Sequence, residues 1–316
     1  MRIVFAGTPE FAVPSLHALA KTHELVGVIT REDAPFGRKR VLTPSPVAVA
    51  AEQLGLPVLK ANRLDDAATD WVRGLDAELG VIVAYGGLVR EPLLSLPLHG
   101  WVNLHFSELP RWRGAAPVQR ALAAGEQRLG VTVFRLVEAL DAGAVVTRDA
   151  LTFAEGTSAG EALTALSEYG TDAVLAAISA LEADPGAGEE QTGGASTAHK
   201  LSRDDGRLDL ARDATEVLAH WAGMTPEPGA FAMFDGQPLK LHELRRFGAA
   251  ADAAAATGGD ARQGSPSAGT VRLVAGRAVL RLDGGDLELV RVQPAGKPAM
   301  DGAAWLRGRS GEAVLS

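Results

Sequence analysis

WVNLHF, residues 101–106, decides how the first half of this chain folds. The run is bulky and apolar but too short for a helix, and it ends in SELPRWRGAAP (107–117), a loop with two prolines and a glycine. On a strand, side chains two apart share a face. Trp101, Asn103 and His105 would therefore project from one side, and Val102, Leu104 and Phe106 from the other. In an open α/β sheet, ligands bind beyond the carboxyl ends of the strands, which is where this loop begins.

The neighbouring sequence supplies the rest of such a sheet. RIVFAG (2–7), LVGVIT (25–30) and LGVIVAYG (79–86) are short apolar runs, the pattern of strands buried on both faces. Between and after them, FAVPSLHALAKT (11–22), VAVAAEQLG (47–55), APVQRALAAG (116–125) and the Ala/Leu/Glu-rich stretch 158–183 carry helical spacing. Strands alternating with helices predict βαβ units and a parallel sheet covered on both faces, an α/β fold. A further apolar run, VTVFRLVEALDAG (131–143), leads into Asp141.

The pattern changes past residue 183. ADPGAGEEQTGGAS (183–196) is polar and Gly-rich, the composition of a linker. Beyond it, PLKLHELRRF (238–247) and GTVRLVAGRAVLRLDGGDLELVRVQPAG (269–296) alternate apolar and polar residues, with DGGD (283–286) placed for a tight turn. These features predict a small β-barrel or sandwich. The low-complexity stretch 248–269 offers nothing to pack a core.

Composition narrows the function classes. Of 316 residues, 47% are hydrophobic and 22% charged, which is enough apolar material for two cores. There is no cysteine, so disulfides, thiol catalysis and thiolate metal sites are excluded. No apolar stretch approaches the roughly 18 residues of a membrane span, and the first residues do not resemble a signal peptide. A cytoplasmic protein is expected. The formal charge of −8 argues against extensive non-specific phosphate binding, though not against one local basic patch.

Three residues carry candidate chemistry. Asn103 and His105 share a strand face at its carboxyl end, and Asp141 ends an apolar run before a turn at Ala142-Gly143. Each alone reads equally well as a satisfied structural polar or a turn residue. If they meet, the carboxylate would raise the imidazole pKa and fix its orientation. REDAPFGRKRVLTPSP (31–46) holds four basic residues among Gly and Pro, and reads on its own as a solvated charged loop. AGTPEF (6–11) lacks two glycines of a dinucleotide fingerprint, so NAD is not expected, and no metal-ligand motif is present.

The strings FAGTPEFA, GRKR…TPSPV, VAYG, NLHFSELPRWRGAAPVQ, LDAG, KLSRDDGRLD and QPAGKPAM, in that order, resemble the methionyl-tRNA formyltransferases, a branch of the folate-dependent formyltransferases. The resemblance runs from Ile3 to Met300, and the block from Asn103 to Gln119 is its most specific part. It implies a Rossmann-like catalytic domain over residues 1–189, a linker at 190–207 and an OB-like, tRNA-binding barrel over 208–316. Asn103, His105 and Asp141 become the catalytic set. Ser107, Glu108, Leu109 and Pro110, with Tyr85 and Gly86, match folate-contacting segments. Arg38, Lys39 and Arg40 would reach the tRNA acceptor stem, with Lys200, Arg203 and Arg207 as further phosphate contacts. The implied cosubstrate is 10-formyltetrahydrofolate, with no metal, and the implied partner is initiator methionyl-tRNA, bound by a monomer. A formyltransferase acting on a nucleotide-linked amino sugar is the alternative. Three departures from the family pattern stand out: Phe106 for Gly, Glu108 for Leu, and Ala144 for a second acid. Glu108 would need a partner or solvent, because a charge in an apolar pocket is costly.

Overall fold

A computed structural model describes residues 1–37, 39–248 and 267–316. By contacts the chain divides into two compact units: Met1–Pro117 with Arg128–Thr152 and Leu163–His199, and Val118–Gln127 with Phe153–Ala162 and Lys200–Ser316. The short pieces 118–127 and 153–162 thus cluster with the later part of the chain.

In chain order the elements to residue 198 are β1 (Arg2–Gly7), α1 (Val13–Thr22), β2 (Glu24–Thr30), β3 (Ala34–Phe36), β4 (Val41–Thr43), α2 (Pro46–Gln53), β5 (Val58–Lys60), α3 (Asp66–Gly74), β6 (Leu79–Val83), β7 (Trp101–His105), β8 (Arg113–Gly114), α4 (Pro117–Ala123), β9 (Arg128–Arg135), β10 (Val145–Thr152), α5 (Ala159–Ala183) and β11 (Thr197–Ala198). Seven strands form the main sheet in the order β10-β9-β7-β6-β1-β2-β5.

The five strands from β7 to β5 pair in parallel, while β9 and β10 pair antiparallel. The sheet is therefore mixed, where the sequence pattern predicted a parallel one. β9 and β10 are joined by a short connection that includes LDAG (140–143), and so close a return is antiparallel. β10 is also the edge strand, and its Arg148 and Asp149 are exposed among half-buried positions. Polar edges of this kind discourage pairing with other chains.

The central strands read as unbroken apolar runs because both faces are covered; all five residues of β6 are buried. On one face Trp101 packs with Val4, Ile29, Ile82, Tyr85 and Leu93, and its indole N–H donates to the Leu93 carbonyl at 2.9 Å. Gly80 of the neighbouring strand makes room, since a Cβ there would overlap the Trp101 ring. Helix starts are capped by side chains, with Ser45 accepting from the Ala48 N–H and Asp65 from the Ala68 N–H.

The later unit contains α6 (Ala214–Gly223), β12 (Phe231–Phe234), β13 (Gln237–Phe247), β14 (Thr270–Val274), β15 (Arg277–Leu282), β16 (Gly285–Gln293), β17 (Met300–Asp301), α7 (Gly302–Arg307) and β18 (Glu312–Val314). Its sheet runs β12-β13-β16-β15-β14-β18, antiparallel in each of these pairings, with β17 added to β16. Met233 of β12 and the terminal Ser316 exchange two backbone hydrogen bonds, 2.6 and 2.9 Å, which brings the two ends of the sheet together. DGGD (283–286) falls at the turn between β15 and β16, where the sequence places it. Asp235-Gly236 and Ala275-Gly276 take positive φ at both positions, as two-residue hairpin loops require. Inside lie Trp221, Leu241, Leu280, Leu289 and Trp305. Among the described residues, no helix is long and apolar enough to cross a membrane.

Candidate active site

β7 delivers Asn103 and His105 to the carboxyl end of the main sheet, between β6 on one side and β9 on the other. His105 is 6% exposed, packs edge-to-face on Phe134 at 6.3 Å, and donates from Nε2 to the Trp112 carbonyl at 2.9 Å. A carbonyl can only accept, so Nε2 carries the proton and Nδ1 is left as the acceptor of the neutral ring. Burial holds the imidazole below its ordinary pKa of 6.5; the Asp141 carboxylate and the Trp112 carbonyl oppose that shift. Asn103 is half-buried, and no described residue hydrogen-bonds its amide.

Asp141 is 9% exposed, and its Oδ2 accepts the Gly114 N–H at 2.7 Å. Its backbone sits at φ 47°, the left-handed region, which costs a non-glycine residue roughly 1–2 kcal/mol. Contacts from elsewhere offset that cost. Gln191 supplies two of them, donating from Nε2 to the carbonyls of Asp141 (2.8 Å) and Gly143 (2.9 Å), while its Oε1 accepts from Arg113. Around Gln191, the segment 189–198 is fixed at both ends. Glu189 exchanges backbone bonds with Val145, Ser196 Oγ accepts the Trp112 N–H at 2.9 Å, and β11 pairs with β8.

The loop after β7 is closed by its own side chains. Ser107 Oγ donates to the Arg111 carbonyl at 2.6 Å, and Thr132 Oγ1 donates to the Ser107 carbonyl at 2.7 Å. Ser107, Leu109 and Pro110 are buried, so they shape the loop from inside. Glu108 is paired with Arg128 through two bonds of 3.0 and 3.1 Å, and this supplies the partner its charge requires. Phe106 packs edge-to-face on Phe11 at 5.7 Å. Tyr85 is buried and its hydroxyl donates to the Ala61 carbonyl at 2.6 Å. Ala84 and Gly86 beside it have positive φ, and the Gly86 carbonyl accepts from Arg31 at 3.0 Å.

The structure sets Asn103 and His105 on β7 and ties Asp141 to the same loop, 112–114, that holds His105. Of the basic residues, Arg38 lies outside the described residues. Lys39 and Arg40 sit exposed at the turn of the β3–β4 hairpin, beside Phe36, Val41 and Leu42, which are also exposed. Lys200, Arg203 and Arg207 are exposed around a 3₁₀ turn. Of the two acids between them, Asp205 accepts from Ser202 and pairs with Arg120, which together lower its carboxyl pKa to about 2. Thr132, Gln191 and Ser196 carry no signal in the sequence that would single them out, and Trp112, though inside the block 103–119, is not singled out there as a site residue. Trp112 and Thr132 offer a carbonyl and a buried hydroxyl next to His105. Gln191 and Ser196 sit in a stretch whose composition signals only a linker.

Comparison with known proteins places this arrangement. The formyl transferase family model matches residues 1–178, and the model of the formyl transferase C-terminal domain matches 200–310. Methionyl-tRNA formyltransferase of Leifsonia xyli subsp. xyli is 52% identical over 316 residues, covering the whole of both chains. That of Clavibacter sepedonicus is 49% identical over 317 residues, again with full coverage of both. The chain belongs to the methionyl-tRNA formyltransferase family.

The fold of this formyltransferase family extends to distant structures. The sugar 3N-formyl transferase WlaRD superposes with a TM-score of 0.65 at 14% identity, over 94% of this chain and 99% of that one. Methionyl-tRNA formyltransferase from Clostridium thermocellum gives 0.56 at 13% identity, over 78% and 93%. At such identities the likeness concerns the fold alone.

Proposed function

We propose that this chain transfers the formyl group of 10-formyltetrahydrofolate to the α-amine of methionyl-tRNA, with Asn103, His105 and Asp141 performing the chemistry. The observation that carries the reading is the state of His105. It is a buried imidazole with Nε2–H committed to a carbonyl, Nδ1 open, and a carboxylate charge acting on it.

An amine must be neutral to attack a formyl carbon. Nδ1 of His105 takes the proton the amine gives up as the new C–N bond forms, and returns it to the folate nitrogen as the old C–N bond breaks. Burial favours the neutral ring before attack, and Asp141 steadies the charged ring between the two transfers. The attacked oxygen becomes an oxyanion, and the free amide of Asn103 is the donor available to it. The folate would lie against the loop after β7 and the turn at Tyr85-Gly86. With Ser107, Leu109, Pro110 and Tyr85 buried and Glu108 paired to Arg128, these residues contribute shape and backbone groups.

Catalysis falls to residues 1–189 and tRNA docking to 208–316, with 190–207 between them, in a cytoplasmic monomer. Arg38, Lys39 and Arg40 are the proposed acceptor-stem contacts, and Lys200, Arg203 and Arg207 the proposed phosphate contacts. Local cationic groups of this kind can hold RNA despite a net charge of −8. The amino-sugar alternative draws no support from relatives of high identity, since those at 52% and 49% carry the methionyl-tRNA name. The deciding assay offers 10-formyltetrahydrofolate with either initiator methionyl-tRNA or a nucleotide-linked amino sugar. Formylation of the sugar and not the tRNA would overturn the reading.

A further inference from the structure

Gln191 lies in the polar stretch that composition assigns to a linker, yet both ends of its carboxamide are engaged. Oε1 accepts from Arg113 Nε at 3.2 Å and Nη2 at 2.6 Å; Nε2 donates to the Asp141 carbonyl at 2.8 Å and the Gly143 carbonyl at 2.9 Å. A guanidinium only donates and a carbonyl only accepts, so the amide can point just one way. It ties the turn carrying Asp141 to the loop 111–114. That loop holds His105 through the Trp112 carbonyl and Asp141 through the Gly114 N–H.

We propose that Gln191 is a positioning residue for catalysis: it holds the left-handed turn at Asp141, and so keeps that carboxylate placed on His105. Three features support this over a merely stabilising contact. The Asp141 backbone is in the left-handed region, which a non-glycine residue occupies at some cost. Gln191 grips the carbonyls on both sides of Ala142, which fixes the turn's orientation as well as its location. The segment bearing Gln191 is itself fixed, by Glu189 on Val145 before it and by Ser196 on Trp112 after it.

The groups acting on the imidazole are the Asp141 charge, the Trp112 carbonyl and the Phe134 ring. Asp141 raises the imidazole pKa against burial, so releasing it should let that pKa fall further. The proposal rests on the catalytic roles given to His105 and Asp141 above.

The test uses the full chain and Gln191→Met, which keeps the length and removes the hydrogen bonds, with Gln191→Ala as a second variant if the first does not fold. Two quantities are read: kcat and KM for 10-formyltetrahydrofolate with methionyl-tRNA, and the His105 titration by NMR without substrates, assigned by its absence in His105→Ala. We expect kcat to fall about 10- to 100-fold, the scale on which a misplaced catalytic group costs rate. KM for the folate should change little, and the His105 titration should move to lower pH. A kcat within about threefold of wild type overturns the proposal. So does a lower kcat with the His105 titration unmoved, which would make Gln191 a stabilising contact only. A wild-type enzyme without methionyl-tRNA activity, or a fully active His105→Ala, would instead overturn the function reading on which the proposal stands.

Discussion

The loops 106–114 and 189–198 both run up to the His105–Asp141 pair, one continuing β7 and the other returning from α5. They differ in what their sequences disclose. In the first, residue types carry the signal: Asn103 and His105 precede it, two prolines mark it and its far side, and its Trp112 carbonyl takes the imidazole N–H. In the second, the structure depends on backbone pairing, one amide and one serine hydroxyl, all inside a run of Gly, Glu and Ala. Gly-rich composition says that a segment has no core of its own. It says nothing about whether neighbouring backbone groups hold it.

The largest effect expected is in the first loop's chemistry. His105→Ala should reduce turnover by roughly two orders of magnitude or more, the usual worth of a positioned general base, while folate and tRNA binding change much less. Near-normal turnover would break the assignment. The same residue makes a pH prediction. Its folded pKa is depressed, so above the unfolded value of about 6.5 it is neutral in both states. As pH falls below that value, the unfolded chain takes the proton first and stability is lost. Denaturant titrations between pH 7 and pH 5 should show a smaller loss in His105→Ala than in wild type.

Much of the fold was legible for a physical reason. A strand buried on both faces must be apolar nearly throughout, and β1, β2, β6 and β7 largely are; the β15–β16 turn of the later half is marked by DGGD. What escaped were elements whose cause lies elsewhere in the chain. β10 is an edge strand carrying Arg148 and Asp149, and α3 is capped by Asp65 within a charged stretch, so neither has a plain apolar run. At the site, the side chains proposed for the chemistry stand out by type and spacing. Their supports do not, since any residue can offer a carbonyl, as Trp112 does, and a buried Thr132 resembles any other threonine.

Gly143 tests whether the turn under Asp141 is as tightly specified as the loop opposite. A Cβ at this position would overlap the Arg135 carbonyl oxygen, which is backbone and cannot swing aside. Gly143→Ala should therefore destabilise the chain by about 2 kcal/mol or more and lower turnover as well, because Asp141 moves with the turn. Full stability and activity in that variant would show that the turn relaxes freely.

The β3–β4 hairpin extends the comparison to a second segment that composition reads as solvated. If its cations bind the acceptor stem, Arg38→Ala, Lys39→Ala and Arg40→Ala together should weaken tRNA binding. The slope of log affinity against log salt should flatten by about one unit for each phosphate the triple variant no longer neutralises. Folate binding should survive. An unchanged slope would return the hairpin to the class of plain surface turns.

The smallest effect expected comes from Ser196, and it probes the comparison most directly. Its hydroxyl accepts the Trp112 N–H at 2.9 Å, and Trp112 is the residue whose carbonyl holds His105. Ser196→Ala leaves the β8–β11 pairing intact, because that pairing uses backbone groups, including the Ser196 carbonyl that accepts the Arg113 N–H at 2.8 Å. Only one acceptor is removed, from a part-buried N–H. A single missing hydrogen bond of this kind costs about 1 kcal/mol, which denaturant unfolding can resolve. Turnover should fall by only a few-fold, since the Trp112 carbonyl is still restrained by Arg113 on the following residue. A loose linker predicts no change in either quantity, because removing a hydroxyl from a solvated segment leaves nothing unpaired. A measurable loss of stability with a small loss of turnover would place Ser196 in the fixed wall of the site, and identical behaviour to wild type would return residues 189–198 to the linker their composition describes.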